Sequence, residues 1–320
     1  MLAYTGIIDH RYDAEFRRQR KLSLSIMKEF GFGKDIMEQR IQAEVSILLQ
    51  HIRDINSEAF CPCSALTSSV LNVIASIVFG RRMETEAAGE LAETIDSFFC
   101  TIVDLFVLDV FPLMRFLPNI RRCLATCTGL YNCLFRVIRN CIKMSDEDSF
   151  VQYYRNREGS RLDMEQLEFI VRDLLMAGTE TSSSTLQWAL LLLAQRDGQC
   201  VQDRMRSEID SHVPGDRLPS LADRQRMPFV EATILELMRV KTVGPLALAH
   251  RTLCDTNLGG YFIPANTVVT IISCCHRYQR ATSVCHNVSV DNVPLFALFI
   301  IMRQYWRVLT IILQFNVLLS

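Results

Sequence analysis

Residues 163–195 read DMEQLEFIVRDLLMAGTETSSSTLQWALLLLAQ, and the spacing of their apolar positions decides the fold class. Leu167, Ile170, Val171 and Leu174, then Leu186, Ala189, Leu190 and Leu193, recur at intervals of three and four, so one face of a long α-helix turns towards a core. Asp163 can cap its N-terminus, Gln166 can complete a capping box, and Leu162 and Leu167 are placed as a hydrophobic staple. The helix is expected to run to about Gln195. Between its apolar halves stands Ala177-Gly178-Thr179-Glu180-Thr181. Gly178 lowers helix propensity and permits close approach or a local opening of the hydrogen-bond ladder, while Thr181 and Glu180 place a hydroxyl and a carboxyl where a proton can be relayed. The same residues equally suit a packing notch whose hydroxyls bond to the preceding turn.

The whole chain agrees with a helical body. Its 320 residues give room for about two ordinary domains. A hydrophobic share of 49% beside 22% charged residues excludes a disordered or collagen-like chain. Thirteen glycines and nine prolines are too few to punctuate a turn-rich all-β architecture. A net charge of −1 lacks the electrostatic signature of a nucleic-acid binder. The twelve cysteines show no framework spacing and read as mostly reduced, small apolar residues without disulfides. Residues 1–10 lack the charged-then-apolar pattern of a targeting segment, and no stretch reaches the ~18 uncharged apolar residues of a membrane span.

Helical spacing dominates residues 12–241, with breaks expected at 31–33, 60–64, 112–118, 146–149 and 214–219. A second clear helix has Pro228 at its first position, where a missing N–H is harmless, and continues through Glu231 and Glu236 to Arg239. From 245 to 272 short runs of β-forming residues, separated at 255–260 and 264–266, predict a small hairpin or mixed sheet. Near residue 271 the composition changes: thirty of the last fifty residues are hydrophobic, four are basic and one is acidic. Arg303 and Arg307 break this apolar run below spanning length.

Glu236 and Arg239 are neighbours on one helix face and can form a charge-assisted pair, of a kind common on solvated surfaces. They are followed by Pro245, His250-Arg251-Thr252 and Gly260-Tyr261-Phe262-Ile263-Pro264. This order, after Ala177 to Thr181, resembles the cytochrome P-450 superfamily of haem-thiolate monooxygenases, in particular its microsomal animal members. The family's oxygen-activating helix carries Ala/Gly-Gly-x-Asp/Glu-Thr, and its later helix carries Glu-x-x-Arg. At the N-terminal side, the segment from Tyr12 to Leu24 with Glu15-Phe16-Arg17-Arg18-Gln19-Arg20 resembles the family's Trp-x-x-x-Arg helix, with Phe16 in place of tryptophan. Phe30-Gly31-Phe32-Gly33 and residues 72–80 are also similar to this branch.

The resemblance covers about residues 6–270. It implies a mainly α, partial P-450 fold with a small β hairpin or sheet after the Glu-x-x-Arg helix, and makes 1–270 a partial domain and 271–320 an unrelated hydrophobic tail. It implies haem as cofactor and insertion of one oxygen atom from O2 into a lipophilic small molecule, with electrons from a reductase. Thr181 would be the proton-relay hydroxyl, Glu180 its acidic neighbour and Gly178 the oxygen-groove glycine. Arg20 and His250 would contact haem propionates, Glu236 and Arg239 would be structural, and Phe98, Phe99 and Ala177 would line an apolar pocket. Arg17, Arg18 and Lys21 would lie where an acidic electron donor docks, unless they form an ordinary solvated face with Glu15 and Glu29. The expected location is the cytosolic face of the endoplasmic reticulum membrane, with mitochondria or cytosol as alternatives.

One part of the family's pattern is not found. The axial cysteine stands in a Phe-x-x-Gly-x-x-x-Cys-x-Gly loop, and nothing in 240–320 reads that way: Cys254 precedes the hairpin, and Cys274, Cys275 and Cys285 lack the flanking phenylalanine and glycines. With no axial cysteine assigned, this chain is expected to bind haem weakly and to lack normal turnover. The alternative is a non-enzymatic helical remnant that binds an apolar ligand, a membrane surface or a partner protein. Cys274, Cys275, His276, Cys285 and His286 fit no standard zinc spacing. Residues 294–319 leave open a peripheral membrane segment, a replacement core helix or an aggregation-prone tail.

Overall fold

The computed structural model describes residues 6–8, 10–30, 35–55, 60–105, 108, 112–215, 217–244 and 250–269. The tail, with the cysteines and histidines at 274–286, lies outside them. The described helices are α1 (Ala14–Glu29), α2 (Asp35–Asp54), α3 (Pro62–Val78), α4 (Thr85–Leu105), α5 (Pro118–Lys143), α6 (Phe150–Glu158), α7 (Met164–Leu193), α8 (Arg196–His212) and α9 (Pro228–Val240). Four short strands follow: β1 (His250–Arg251), β2 (Thr256–Leu258), β3 (Tyr261–Ile263) and β4 (Val268–Val269). The expected mainly α class holds. The chain divides into two compact units between Ser183 and Ser184, with α7 running through the division. Among the described residues, no helix is long and apolar enough to cross a membrane.

In the first unit α3 is the central helix. Its sequence, PCSALTSSVLNVIASIV, has no charged residue. Leu66, Val70, Leu71, Val73, Ile74, Ile77 and Val78 are all buried, as a helix enclosed on several sides requires. Helices α2, α4 and α6 pack on it. A polar group this deep needs partners. Asn72 has them: its amide donates to Glu44 Oε1 at 3.5 Å and its carbonyl accepts from the Met83 amide at 3.0 Å. Glu44 also accepts from Arg82 Nε at 2.8 Å. Just after α3 the chain turns at Gly80, φ +80°. A Cβ there would stand 2.8 Å from Asp146 Cβ and 2.9 Å from the Asp148 carbonyl, because the Asp146 amide donates to the Phe79 carbonyl beside it.

Helix α1 starts at Asp13, whose carboxylate accepts from the Phe16 amide at 2.8 Å. It docks on α6 through polar contacts, among them those of Arg157 to Ser25 and Glu29. Tyr154 donates to Gln19 Oε1 at 2.5 Å, and Arg18 donates to both oxygens of Glu158 at 2.6 and 2.9 Å. The start of α7 grips the segment ahead of α1. Asp163 caps α7 as expected, accepting from the amides of Glu165 at 2.9 Å and Gln166 at 3.4 Å. The Gln166 side chain does not fold back to close a capping box; it brackets Gly6, donating to its carbonyl and accepting from its amide, both at 3.4 Å. Two turns on, Asp173 Oδ2 accepts from the amides of Ile7 at 2.6 Å and Ile8 at 3.0 Å. Its other oxygen takes Arg172 Nε at 2.9 Å. Burial pushes the Asp173 carboxyl up, and Arg172 with the two amides pulls it back.

In the second unit, α8 and α9 pack together. Glu208 on α8 closes the first turn of α9, accepting from the amides of Phe229 at 3.1 Å and Val230 at 2.7 Å, which otherwise have no helical partner. Pro228 stands at the start of α9 as its sequence predicts. In the loop between them Asp223 accepts from Arg217 at 2.7 and 2.8 Å and from Arg226 at 2.6 Å, and forms a capping box with Ser220. Arg217 first, and then Ser220, hold its carboxyl well below the usual carboxylate range against the effect of burial. Strands β2 and β3 form an antiparallel hairpin, Thr256 opposite Ile263 and Leu258 opposite Tyr261. Gly259 and Gly260 turn it with φ +58° and +87°, both open only to residues that tolerate positive φ. Residues 255–260 are thus more than a separator, since β2 lies within them. Strand β1 pairs with β4, His250 opposite Val269.

Gly80→Ala, strained and crowded at once, is expected to lower unfolding free energy by about 2–4 kcal/mol in urea denaturation. Asp173→Ala strands a buried guanidinium and two amides and is expected to lower it by about 3–5 kcal/mol. For Asp223 the folded-state pKa is depressed, so its stabilisation is present above about pH 4 and is lost as the pH falls below that. Asp223→Asn is therefore expected to be about 1–3 kcal/mol less stable than the wild type at pH 7. That difference is expected to shrink below about pH 4 in a denaturation series, and added salt to reduce it, because both arginines are partly exposed.

Candidate functional site

The turn at Ala177 to Thr181 lies inside an unbroken α-helix; there is no opening of the ladder at Gly178. Gly178 and Thr179 face inward and are buried, while Ala177, Glu180 and Thr181 are half-buried. Thr179 Oγ1 has no hydrogen-bond partner among the described residues. Thr181 Oγ1 donates to the Ala177 carbonyl at 2.7 Å, the bond to the preceding turn that the sequence left open beside the relay. Passing a proton from Thr181 therefore requires that bond to exchange. Glu180 has an acidic neighbour that the sequence reading missed, Asp96 on α4. Burial, and then the neighbouring Glu180 carboxyl, push Asp96 up to about 6. At the start of α3 the Cys63 thiol is pushed up to about 11, by burial first and then by Cys61 and Asp96.

The other residues of the first unit take different positions. Phe98 is buried and Phe99 half-buried, with ring centroids 6.3 Å apart. Phe98 also stands 6.4 Å from Tyr131, which packs on Phe135 at 4.6 Å, and Phe135 packs on Phe169 at 5.1 Å. Arg172 is set into this aromatic cluster, its guanidinium 5.0 Å from the Phe169 ring and 5.9 Å from that of Tyr131. Arg20 is half-buried on α1, one turn beyond the buried Phe16. The basic face expected at Arg17, Arg18 and Lys21 is smaller than its sequence suggests. Arg18 is engaged by Glu15 and Glu158, and its hydrogen bond holds Glu15 down to about 2. Arg17 and Lys21 are exposed.

In the second unit Arg239 donates to Glu236 through Nε at 2.7 Å and Nη2 at 2.6 Å, a bidentate pair. Both side chains are more than half exposed, at 51% and 59%. His250 and Cys254 are exposed as well. Leu258, Tyr261 and Phe262 on the hairpin are 63–78% exposed, so its apolar residues meet solvent.

Whether these residues suit haem divides by function. Arg20 and His250 are donors of the type that bind carboxylates. An axial ligand needs a cysteine held as thiolate, in a loop whose amides point at the sulfur. The described cysteines are all free thiols; Cys61, Cys100, Cys200 and Cys254 are exposed and the other five half-buried. Burial pushes Cys63, Cys127 and Cys141 towards the thiol, the opposite of what a ligand needs. None of those three therefore has the chemistry of a ligand to the haem iron.

Comparison with known proteins gives a consistent result. The family model described as Cytochrome P450 matches residues 3–280. Cytochrome P450 2U1 of Homo sapiens is 29% identical over 283 residues, 82% of this chain and 51% of its own length. Cytochrome P450 2H1 of Gallus gallus is 31% identical over 279 residues, and Cytochrome P450 2D4 of Rattus norvegicus 32% identical over 302, each across 83% of this chain and 56% of the relative. The chain therefore spans about half the length of the curated relatives it matches. The family implies haem as its cofactor. With the match running through the Ala177 to Thr181 turn, the Glu236 and Arg239 helix and the hairpin beyond it, the chain belongs to the cytochrome P450 family.

Proposed function

We propose that this chain is part of a haem-dependent monooxygenase that inserts one oxygen atom from O2 into a lipophilic small molecule, with electrons supplied by a reductase. The observation that carries the reading is the α7 turn, where Thr181 and Glu180 stand half-exposed on a helix whose neighbouring Gly178 and Thr179 are buried. A hydroxyl next to a carboxyl can accept and pass on a proton, provided the bond to the Ala177 carbonyl exchanges. Phe98, Phe99 and Ala177 supply apolar surface for a lipophilic molecule. Arg20 and His250 are the groups for the haem carboxylates, and the Glu236 and Arg239 pair is structural.

Residues 1–320 alone are proposed to lack normal turnover, because no described cysteine has the setting of an axial thiolate. No catalytic step is assigned through the iron. Residues 1–270 act as the P450 portion in this reading and 271–320 as a separate hydrophobic tail. Exposed Arg17 and Lys21 are the charges left to attract an acidic electron donor. Peripheral contact with the endoplasmic reticulum membrane is supported by Leu113, Phe116 and Leu117, 78%, 66% and 47% exposed. Exposed Arg115, Arg121 and Arg122 stand beside them, the mixture of apolar and basic groups that suits an anionic bilayer surface.

The test is reconstitution of the purified chain with haem, followed by reduction and exposure to carbon monoxide. The expected result is no thiolate-type Soret band. A thiolate band would show that one of the cysteines ligates iron and would overturn the inactivity proposed here.

A further inference from the structure

Two neighbouring residues of α1 are gripped by α6. Tyr154 donates to Gln19 Oε1 at 2.5 Å, and Arg18 donates to both oxygens of Glu158 at 2.6 and 2.9 Å. On α6 these two partners are four residues apart and share a face. On α1 an acid joins the same two residues: Glu15 accepts from Gln19 Nε2 at 2.8 Å and from Arg18 Nε at 2.9 Å and Nη2 at 2.7 Å. The polar groups therefore run as one circuit, from Tyr154 through Gln19, Glu15 and Arg18 to Glu158. Tyr154, Gln19 and Glu158 are only 1%, 2% and 7% exposed. A buried circuit with every member paired resists rearrangement, because breaking a bond leaves a polar group without water. Its geometry fixes one motion in particular. Successive residues of a helix stand about 100° apart round the axis, so a helix held at both Arg18 and Gln19 cannot roll. Arg20 is the next residue. It lies about 100° beyond Gln19 on the side away from Arg18, half-buried and with its Nε shielded from solvent.

We propose that Tyr154 and Glu158 are positioning residues for Arg20: by fixing the roll of α1 they set the direction in which the Arg20 guanidinium is presented to a porphyrin carboxylate. This role rests on the reading of Arg20 as a donor to the haem carboxylates, whereas the grip on α1 does not. Tyr154 and Glu158 are assigned no contact with the ligand; they act through Gln19 and Arg18. A guanidinium binds a carboxylate best through two parallel N–H donors, which requires its plane and direction to be set in advance. A side chain that has to be ordered on binding gives up part of its affinity. The remaining α1 contacts with α6 lie further along. Arg157 reaches Ser25 and Glu29, and the Phe30 ring, just past the end of α1, stands 4.8 Å from that of Tyr153. These hold the far end of α1, more than one turn beyond Arg20, without engaging Arg18 or Gln19.

The test compares the binding of iron-free protoporphyrin and of its dimethyl ester, which has no free carboxylate, to the full chain, read from porphyrin fluorescence. The wild type is expected to prefer the free acid by about tenfold, and Arg20→Gln to lose that preference. Tyr154→Phe and Glu158→Gln are each expected to cut it by about threefold, and the double variant to bring it close to that of Arg20→Gln. Arg157→Ala loosens the far end of α1 and is expected to leave the preference unchanged, which separates positioning from a general weakening of the helix. A second measurement needs no porphyrin. Exchange of the Arg20 Nε–H with water, followed by nitrogen-15 NMR and assigned by its loss in Arg20→Gln, is expected to quicken severalfold in Tyr154→Phe and Glu158→Gln and not in Arg157→Ala. Tyr154→Phe keeps the ring that stacks 6.1 Å from Phe150, and far-UV circular dichroism checks that each variant folds. If Tyr154→Phe and Glu158→Gln keep the full preference while Arg20→Gln loses it, if Arg157→Ala loses as much as they do, or if the Arg20 Nε–H exchanges no faster in them, the positioning role is overturned and the reading of Arg20 stands. If the wild type binds both porphyrins alike or neither, or if Arg20→Gln keeps the preference, the reading of Arg20 falls and the positioning role with it.

Discussion

The Asp173 carboxylate is the interaction on which the first unit depends. A buried anion is tolerated only where donors replace the water it has lost. Asp173 collects four of them: the Ile7 and Ile8 amides on one oxygen, and two guanidinium nitrogens of Arg172 on the other. This ties the segment ahead of α1 to α7 across most of the length of the unit. Gly6 shows how close the approach is, since a Cβ there would come within 2.4 Å of Asp173 Oδ2. Arg172 is in turn held by the faces of Phe169 and Tyr131. The turn that carries Gly178, Glu180 and Thr181 is one helical turn further along the same helix, so its placement follows from that anchor.

Charge is managed in two ways. In the first unit, Asp173, Glu44 and Glu158 are nearly inaccessible, and each has an arginine beside it. In the second unit, Asp223 is enclosed in the same way beside Arg217 and Arg226, whereas Glu236 and Arg239 pair in the open. An exposed pair contributes little to stability, whereas the same pair enclosed would be strongly coupled to its surroundings. The open pair and the solvent-facing apolar side chains of the hairpin are therefore the least consolidated part of the second unit. The consolidated part is the α8 and α9 contact, where Glu208 serves as a remote cap and Arg204 stacks 4.0 Å over Phe229.

Local signals in the sequence were reliable where the partner is close in the chain. Asp163 caps α7, Pro228 opens α9, and the apolar stripe from Leu167 to Leu193 faces inward at nearly every position. They failed where a side chain had a choice of partners. Gln166 suits a capping box, but Gly6 offers it two backbone groups and wins. Arg18 reads as part of a basic docking face, but Glu158 is within reach in the fold. Asp255 and the glycines at 259 and 260 read as a separator, yet the two-residue turn they contain pairs β2 with β3.

The sequence by itself determined the class of the fold, the long helix with its Ala177 to Thr181 turn, the later Glu236 and Arg239 helix and the hairpin beyond, because helical periodicity, caps and turn residues act over a few neighbours. It also carried the order of motifs by which the family is identified. Only the tertiary structure decided that Asp96 lies near Glu180, that Asp173 holds the Ile7 and Ile8 amides, and that Glu236 and Arg239 stand exposed. The first two join residues far apart in the chain and the third depends on what covers a helix face, and a carboxyl's protonation and partners depend on what packing brings near it and how much water it removes.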